Sequence, residues 1–147
     1  MITTVLISLY EKELDKLAEE INAYTSDEQL WKISGDILNS GGNLCLHITG
    51  SLQHFIGATL GDSGYIRNRE AEFKLKNIPR QKLLEEIENS KRVVIDTLEQ
   101  VSKKELDSEF PIRVLDEPAT TEYMLVFFLR HVGYHIGQIN YHRRLVK

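Results

Sequence analysis

Residues 120–146 read TTEYMLVFFLRHVGYHIGQINYHRRLV, and this stretch decides the fold class. Two neighbouring rows of residues recur along it at helical spacing. The first row is apolar: Leu125, Leu129, Val132, Ile136 and Ile139. The second row mixes apolar and polar residues: Met124, Phe128, His131, His135, Gln138 and His142. Because residues three and four positions apart share one face of an α-helix, the stretch predicts one long amphipathic helix, capped by Thr120 or Thr121.

Three further segments show the same helical spacing. The first predicted helix covers residues 2–24, and the second begins near Asn43, a good capping residue, and ends at the glycine-containing run 61–64. The third runs from about residue 79, where a proline suits the first helical position, to about residue 104. Four long helices without an alternating strand pattern predict an all-α protein with the architecture of a four-helix bundle.

The predicted connections differ in length. Residues 61–78 lack clear periodicity and are too long for a tight turn, so they predict a crossover between the second and third helices. Ser26 predicts a short capped turn that carries Trp31. Residues 112–115 could form a short extended piece between two prolines.

The composition limits the class of protein. The chain has 147 residues, 41% of them hydrophobic and 27% charged, which predicts one domain over residues 1–147 with a continuous core. The single cysteine, Cys45, cannot form an intramolecular disulfide and favours a reducing, cytoplasmic location. Charged residues soon follow the start of the chain, so we expect neither a signal peptide nor a membrane span. The net charge of −4 argues against a nucleic acid partner.

His131 and His135 are four residues apart, so on a helix their imidazoles project from one face, one turn apart. This spacing can hold a metal ion, although half-buried core histidines and pH-sensitive pairs show it as well. His47, among apolar neighbours on the second predicted helix, could supply a third nitrogen and leave a position for water or substrate. Three neutral nitrogens suit a divalent zinc or nickel ion, and manganese or iron is also compatible.

Four other residues near the proposed ligands have structural explanations. His54 and His142 each lie seven residues from a proposed ligand, about 10 Å along a helix axis, which is too far to share the ion. We predict that both are partly exposed or hydrogen-bonded. Gln138 could orient a ligand or form an interhelical hydrogen bond. Cys45 is predicted to be a small buried residue.

Several charged residues are weaker candidates for roles in binding or catalysis. Three arginines could recognise an anion, although solvated surface charge is the preferred interpretation: Arg67, Arg69 and Arg130. Asp62 and Glu70 are weak candidates for acid–base catalysis, because no spacing in the sequence relates them to the histidines.

Two stretches resemble a known family: GNLCLHITGSLQHFIG (residues 42–57) and HVGYHIGQI (residues 131–139) are similar to segments of the DinB/YfiT-like superfamily of metal-binding four-helix bundles. The resemblance extends less distinctly to RNREAEF (residues 67–73) and to the helix order over nearly the whole chain. It implies that one divalent metal ion is bound by His47, His131 and His135. It also implies a long connection between the second and third helices and a homodimer.

The resemblance implies a chemistry as well. An ion held by three neutral histidines can activate a bound water or thiol. The superfamily includes enzymes that use low-molecular-weight thiols, which implies a metal-dependent thiol transferase acting on a small-molecule substrate. Two alternatives stay open: a metal-dependent hydrolase, and a non-catalytic metal-binding dimer with a stress-related role.

Overall fold

The computed structural model describes residues 1–147, and every regular element in it is helical. The seven α-helices are α1 (Ile2–Ala23), α2 (Asp27–Trp31), α3 (Gly41–Leu52), α4 (Arg69–Lys74), α5 (Arg80–Gln100), α6 (Lys103–Asp107) and α7 (Thr121–Leu145). A π-helix, Gln53–Ala58, continues α3. There is no β-strand, only two isolated bridges in the loops. The predicted all-α class is therefore confirmed.

Four long segments surround one continuous cluster of buried apolar residues: α1, α3 with its π-helical continuation, α5 and α7. Helix α1 packs against α5 and α7, and α3 packs against the same two helices. The hydroxyl of Tyr10 donates a hydrogen bond to the carbonyl of Leu125 at 2.6 Å, and the hydroxyl of Tyr24 lies 3.2 Å from the carbonyl of Ile139. The earlier tyrosine contacts the earlier residue of α7 and the later tyrosine contacts the later one, so α1 and α7 run parallel. Helix α7, with its histidines, thus lies between α1 and α3.

Capping side chains set the helix starts. Ser26 and Thr120 cap α2 and α7, as predicted. For α3 the predicted cap, Asn43, is wrong: Ser40 Oγ accepts the backbone N–H of Asn43 at 3.1 Å, and the helix begins at Gly41. Both residues are good caps, so the sequence alone did not distinguish them.

The connection between the π-helix and α5 contains a helix that the sequence did not predict. Asn68 caps α4 by accepting the backbone N–H of Ala71 at 3.1 Å. At six residues, α4 is too short to show the periodicity on which the prediction of an irregular crossover over 61–78 relied. Helix α4 packs on α3, and this contact brings residues of the connection to the histidines.

Two further predictions need correction. The third predicted helix, 79–104, is two helices, because α5 ends at Gln100 and Ser102 caps α6 through reciprocal hydrogen bonds with Glu105. Residues 112–115 form no strand. No helix combines the length and the apolar character that a membrane crossing would require.

Candidate functional site

Three histidines from two helices meet between α3 and α7. His47 lies on α3, and His131 and His135 lie one turn apart on α7. One ring nitrogen of each histidine lies within 4.8 Å of those of the other two. The Nε2 atoms of His131 and His135 are 2.6 Å apart. The structure therefore brings together the three residues that the sequence singled out as candidate metal ligands.

Hydrogen-bond partners determine which ring nitrogen of two histidines carries the proton. Nδ1 of His47 lies 3.1 Å from Oε1 of Glu72, and Nδ1 of His135 lies 2.7 Å from Oε1 of Gln138. Both oxygens are acceptors, so each Nδ1 carries a proton and donates a hydrogen bond to its partner. When these rings are neutral, Nε2 of each keeps a lone pair, as a metal ligand requires.

Glu72 is a site residue that the sequence reasoning missed. It lies on α4, is buried, and accepts hydrogen bonds at 2.9 Å from both Nε and a terminal nitrogen of Arg67. Burial raises the pKa of the Glu72 carboxyl, but the hydrogen bonds from His47 and Arg67 outweigh it and hold this pKa below its usual value. The carboxylate is ionised at neutral pH and can orient the ring of His47.

Two of the histidines are held in the neutral form. Burial lowers the pKa of His135 to about 4; the hydrogen bond to Gln138 opposes this shift, and the charges of His47 and His131 add to it. Burial also lowers the pKa of His131, with smaller contributions from His47 and two nearby arginines. Protons and metal ions compete for the same lone pair, so neutral imidazoles at pH 7 favour metal binding.

The nitrogen separations are near those that a divalent ion requires, without matching them. Zinc–nitrogen bonds of about 2.0 Å place tetrahedral ligand nitrogens about 3.3 Å apart. The separation of 2.6 Å between His131 and His135 is shorter than this value, and the upper limit of 4.8 Å for the cluster is longer. Modest side-chain rotation would bring the three nitrogens to that spacing. Three imidazoles leave at least one coordination position for another molecule.

The histidines border an open cleft of about 1000 Å³. Its aromatic wall is formed by Phe55, Phe73, Phe127, Phe128 and Tyr134. The charged residues that line it are three arginines, Arg67, Arg69 and Arg130, and its lining includes no Asp or Glu. A small molecule can therefore reach the histidines across a surface that is both aromatic and positively charged.

The interpretation of the three arginines as solvated surface charge is wrong for Arg67. Its side chain is only 11% exposed, is held by Glu72, and lies 5.6 Å from the centre of the Phe55 ring. The interpretation fails because the short helix α4, which carries Glu72, was not predicted. Arg69 and Arg130 are exposed, as predicted.

The other two histidines lie outside the cluster. His142 is buried: its Nε2 donates to the carbonyl of Lys32 at 2.7 Å, and its Nδ1 accepts the Tyr24 hydroxyl at 2.8 Å. His54 lies in the π-helix with its ring 4.7 Å from that of Phe55, and partial burial lowers its pKa. These environments confirm the predicted hydrogen-bonded or partly exposed roles.

The remaining candidates take structural or surface positions. Cys45 is fully buried, as predicted, and burial raises the pKa of its thiol. Gln138 bonds to His135 on its own helix, so the alternative of an interhelical hydrogen bond is wrong. Asp62 and Glu70 are exposed and do not line the cleft.

The fold and the site define an all-helical protein with a three-histidine cluster beside an open cleft. The chain matches the family described as "Protein of unknown function (DUF1572)" over residues 5–147, and it belongs to that family. A crystal structure of a conserved protein from Enterococcus faecalis is similar in fold, with a TM-score of 0.80 and 17% sequence identity over 99% of this chain and 97% of that chain. No curated protein matches the chain.

Proposed function

We propose that the chain is a metal-dependent transferase of the DinB/YfiT-like superfamily that activates a low-molecular-weight thiol. In this proposal His47, His131 and His135 hold one divalent ion. The observation that carries it is the convergence of three imidazoles, two of which donate hydrogen bonds from Nδ1 away from the cluster, to Glu72 and Gln138. Zinc or nickel suits these donors, and manganese or iron is compatible.

The arrangement of the helices supports the superfamily assignment. Helices α1, α3, α5 and α7 are long and pack as expected for a four-helix bundle. One histidine lies on the second long helix, and the His-x-x-x-His pair lies on the fourth. The long connection between the second and third long helices, expected from the resemblance, includes α4.

The residues around the cluster suit a catalytic centre better than a closed structural site. A divalent ion held by three neutral imidazoles lowers the pKa of a bound thiol or water toward neutrality. Glu72 and Gln138 orient two of the rings, and aromatic side chains form one wall of the cleft. The open side admits a substrate.

Thiol transfer fits this cleft better than hydrolysis does. A thiol has a pKa of about 8.5, whereas that of water is about 15.7, so a thiol needs less help to lose its proton. The lining of the cleft offers no carboxylate to serve as a general base, and Glu72 already accepts from His47 and Arg67. Hydrolysis therefore ranks second.

Elemental analysis of tag-free protein tests the metal centre. We expect close to one divalent ion per chain in the wild type, and its loss in His47→Ala and in the double variant His131→Ala/His135→Ala. His54→Ala is the matched control, since His54 is half-buried in the continuation of α3 but lies outside the cluster. A wild-type chain that takes up no zinc, nickel, manganese or iron would overturn the proposal.

Activity assays distinguish the two reactions. Metal-loaded protein is incubated with a panel of small thiols and a chromogenic aryl chloride. In the transferase reaction a carbon–sulfur bond forms, chloride leaves and the thiol proton passes to the buffer, and we expect this rate to fall to background after chelation. Metal-dependent cleavage of an activated ester without any thiol would instead support the hydrolase.

We also propose a homodimer, which the resemblance implies. Helices α1 and α7 pack against each other, and both expose an apolar side chain at the same height along the helix pair: Leu9 on α1 and Val126 on α7. Leu9 precedes Tyr10 and Val126 follows Leu125, and the Tyr10 hydroxyl is hydrogen-bonded to the Leu125 carbonyl. Sedimentation equilibrium should give twice the chain mass, and Leu9→Lys should give the monomer. A monomeric wild type would contradict this part of the proposal.

A further inference from the structure

The cleft is positively charged, although the chain has a net charge of −4. Of the three arginines that line it, Arg67 is neutralised by Glu72. The arginines that form ion pairs with carboxylates are Arg67, Arg80 and Arg143. Arg69 and Arg130 therefore keep unpaired charges, and they do so in a cleft that no acidic side chain lines.

Each of these two guanidinium groups is positioned by an aromatic ring. The central carbon of Arg69 lies 5.2 Å from the centre of the Phe73 ring, and that of Arg130 lies 5.9 Å from the centre of the Phe127 ring. A guanidinium that stacks on a ring keeps N–H groups along its edge free to bind other groups. Those edges match the geometry of carboxylate and phosphate groups, which accept two parallel hydrogen bonds.

The two arginines come from different helices, and both are close in sequence to site residues. Arg69 begins α4, which also carries Glu72, and Arg130 precedes His131 on α7. The cleft is lined by Arg69, Arg130 and His131, whereas Glu72 lies behind its lining. A molecule whose anionic group binds the arginines would therefore occupy the space beside the histidine cluster.

We propose that Arg69 and Arg130 bind the anionic group of the substrate, a carboxylate or phosphate carried by a molecule with an apolar or aromatic portion. The aromatic wall, including Phe127 and Tyr134, contacts that portion. The inference rests on the proposed function in taking the reacting group to lie at the histidines. Binding of the anion itself requires only the arginines.

Calorimetric titration of chelator-stripped protein tests this site without any metal. The probes are phenyl phosphate and phenylacetate, with inorganic phosphate and neutral phenol for comparison. We expect at least one of the two aryl anions to bind more tightly than both comparison molecules, and its identity distinguishes phosphate from carboxylate. Loss of one charge-assisted contact should weaken that binding about tenfold in Arg69→Gln or Arg130→Gln, and more in the double variant.

Arg92→Gln is the matched control. Arg92 is an arginine on α5 that donates to Asn89 and does not line the cleft, so its loss should leave probe binding unchanged. Circular dichroism confirms that each variant is folded. The proposal is overturned if neither aryl anion binds more tightly than both phenol and inorganic phosphate, or if the double variant binds them like the wild type. Metal content of the untreated wild type is measured separately, so failure of the metal centre and failure of the anion site are distinguishable.

Discussion

Oε1 of Glu72 lies 3.1 Å from Nδ1 of His47 and accepts its hydrogen bond, although the two residues are 25 positions apart and lie on different helices. Both side chains are buried, and Arg67 donates to the two oxygens of the same carboxylate. The contact fixes the orientation of the imidazole and leaves Nε2 as the nitrogen available to the cluster. Glu72 on α4 thus positions the ring of His47 on α3.

Glu72→Gln should weaken metal binding by about 10- to 100-fold, because the ring of His47 loses a charged acceptor and Arg67 loses its counterion. Chelator competition with a zinc indicator measures this change. Glu70→Gln is the control: Glu70 lies on the same helix but is exposed and pairs with Lys74. Equal zinc affinities for Glu72→Gln and the wild type would show that this carboxylate does not support the site.

The sequence predicted the histidines more readily than it predicted their support. His131 and His135 are related by a local spacing on one helix, whereas His47 was singled out by its apolar surroundings and by the family resemblance. No spacing rule relates His47 to Glu72, because their contact depends on how a six-residue helix packs on α3. The long helices were predictable for the same physical reason as the histidine pair, since periodicity is a local property.

The π-helix that continues α3 shows another limit of periodicity. Its hydrogen bonds join residues five apart. The backbone N–H of Thr59 donates to the carbonyl oxygen of His54 at 3.1 Å, and that of Gly61 donates to the carbonyl oxygen of Ile56 at 3.0 Å. Such a turn adds one residue to a helix without changing its composition. The sequence therefore predicted a single helix over this region and missed the change in winding.

Gly50→Ala should displace Glu72 without changing any polar group. A Cβ at Gly50 would overlap Oε2 of Glu72 and lie 2.8 Å from its Cδ, in a buried contact between α3 and α4. We expect weaker zinc binding and an unfolding free energy lowered by about 1–3 kcal/mol, since the buried Glu72 side chain must move away from its hydrogen-bond partners His47 and Arg67 to admit the methyl group. Chelator competition and urea unfolding measure the two effects.

Gly137→Ala is the matched control for that substitution. Gly137 also lies in a helix, but a Cβ there meets no atom within 4 Å. The substitution should raise the unfolding free energy by about 0.5–1 kcal/mol, because alanine loses less conformational entropy than glycine in a helix, and metal binding should not change. If both alanine variants bound zinc equally well, the link between α4 and the cluster would be refuted.

The metal-free protein should lose stability as the pH falls from 7 to 5. The pKa of His135 is about 4 in the folded chain, compared with its usual 6.5, so the unfolded chain binds more protons in this interval and acidification favours unfolding. Burial lowers the pKa values of His131 and His142 as well, so their contributions have the same sign. The carboxyl of Glu72 has a pKa below its usual value and stays ionised in this range.

Urea unfolding at several pH values between 7 and 5, with chelator present, measures that slope. His135→Asn should show a shallower dependence of the unfolding free energy on pH than the wild type, because one of the groups with a lowered pKa is removed. A wild-type protein whose stability rises on acidification, or an Asn variant with an unchanged slope, would contradict the assignment.

His142 should contribute to stability and not to metal binding. It is 2% exposed, and its ring joins the end of α7 to the hydroxyl of Tyr24 after α1 and to the carbonyl of Lys32 after α2. His142→Ala removes a buried ring and the donor to the Lys32 carbonyl, while the Tyr24 hydroxyl keeps the Ile139 carbonyl as an acceptor at 3.2 Å, so we expect the unfolding free energy to fall by about 2–4 kcal/mol. Tyr24→Phe removes only the hydroxyl and should cost about 1 kcal/mol.

Urea unfolding of both single variants and the double variant measures the coupling between His142 and Tyr24. Because the hydroxyl donates to Nδ1, the cost of Tyr24→Phe should shrink once His142 is alanine. Metal content of folded His142→Ala at pH 7 should equal that of the wild type, since the ring lies outside the cluster formed by His47, His131 and His135. Loss of metal from the folded variant would instead make His142 part of the metal site and would require a different set of ligands.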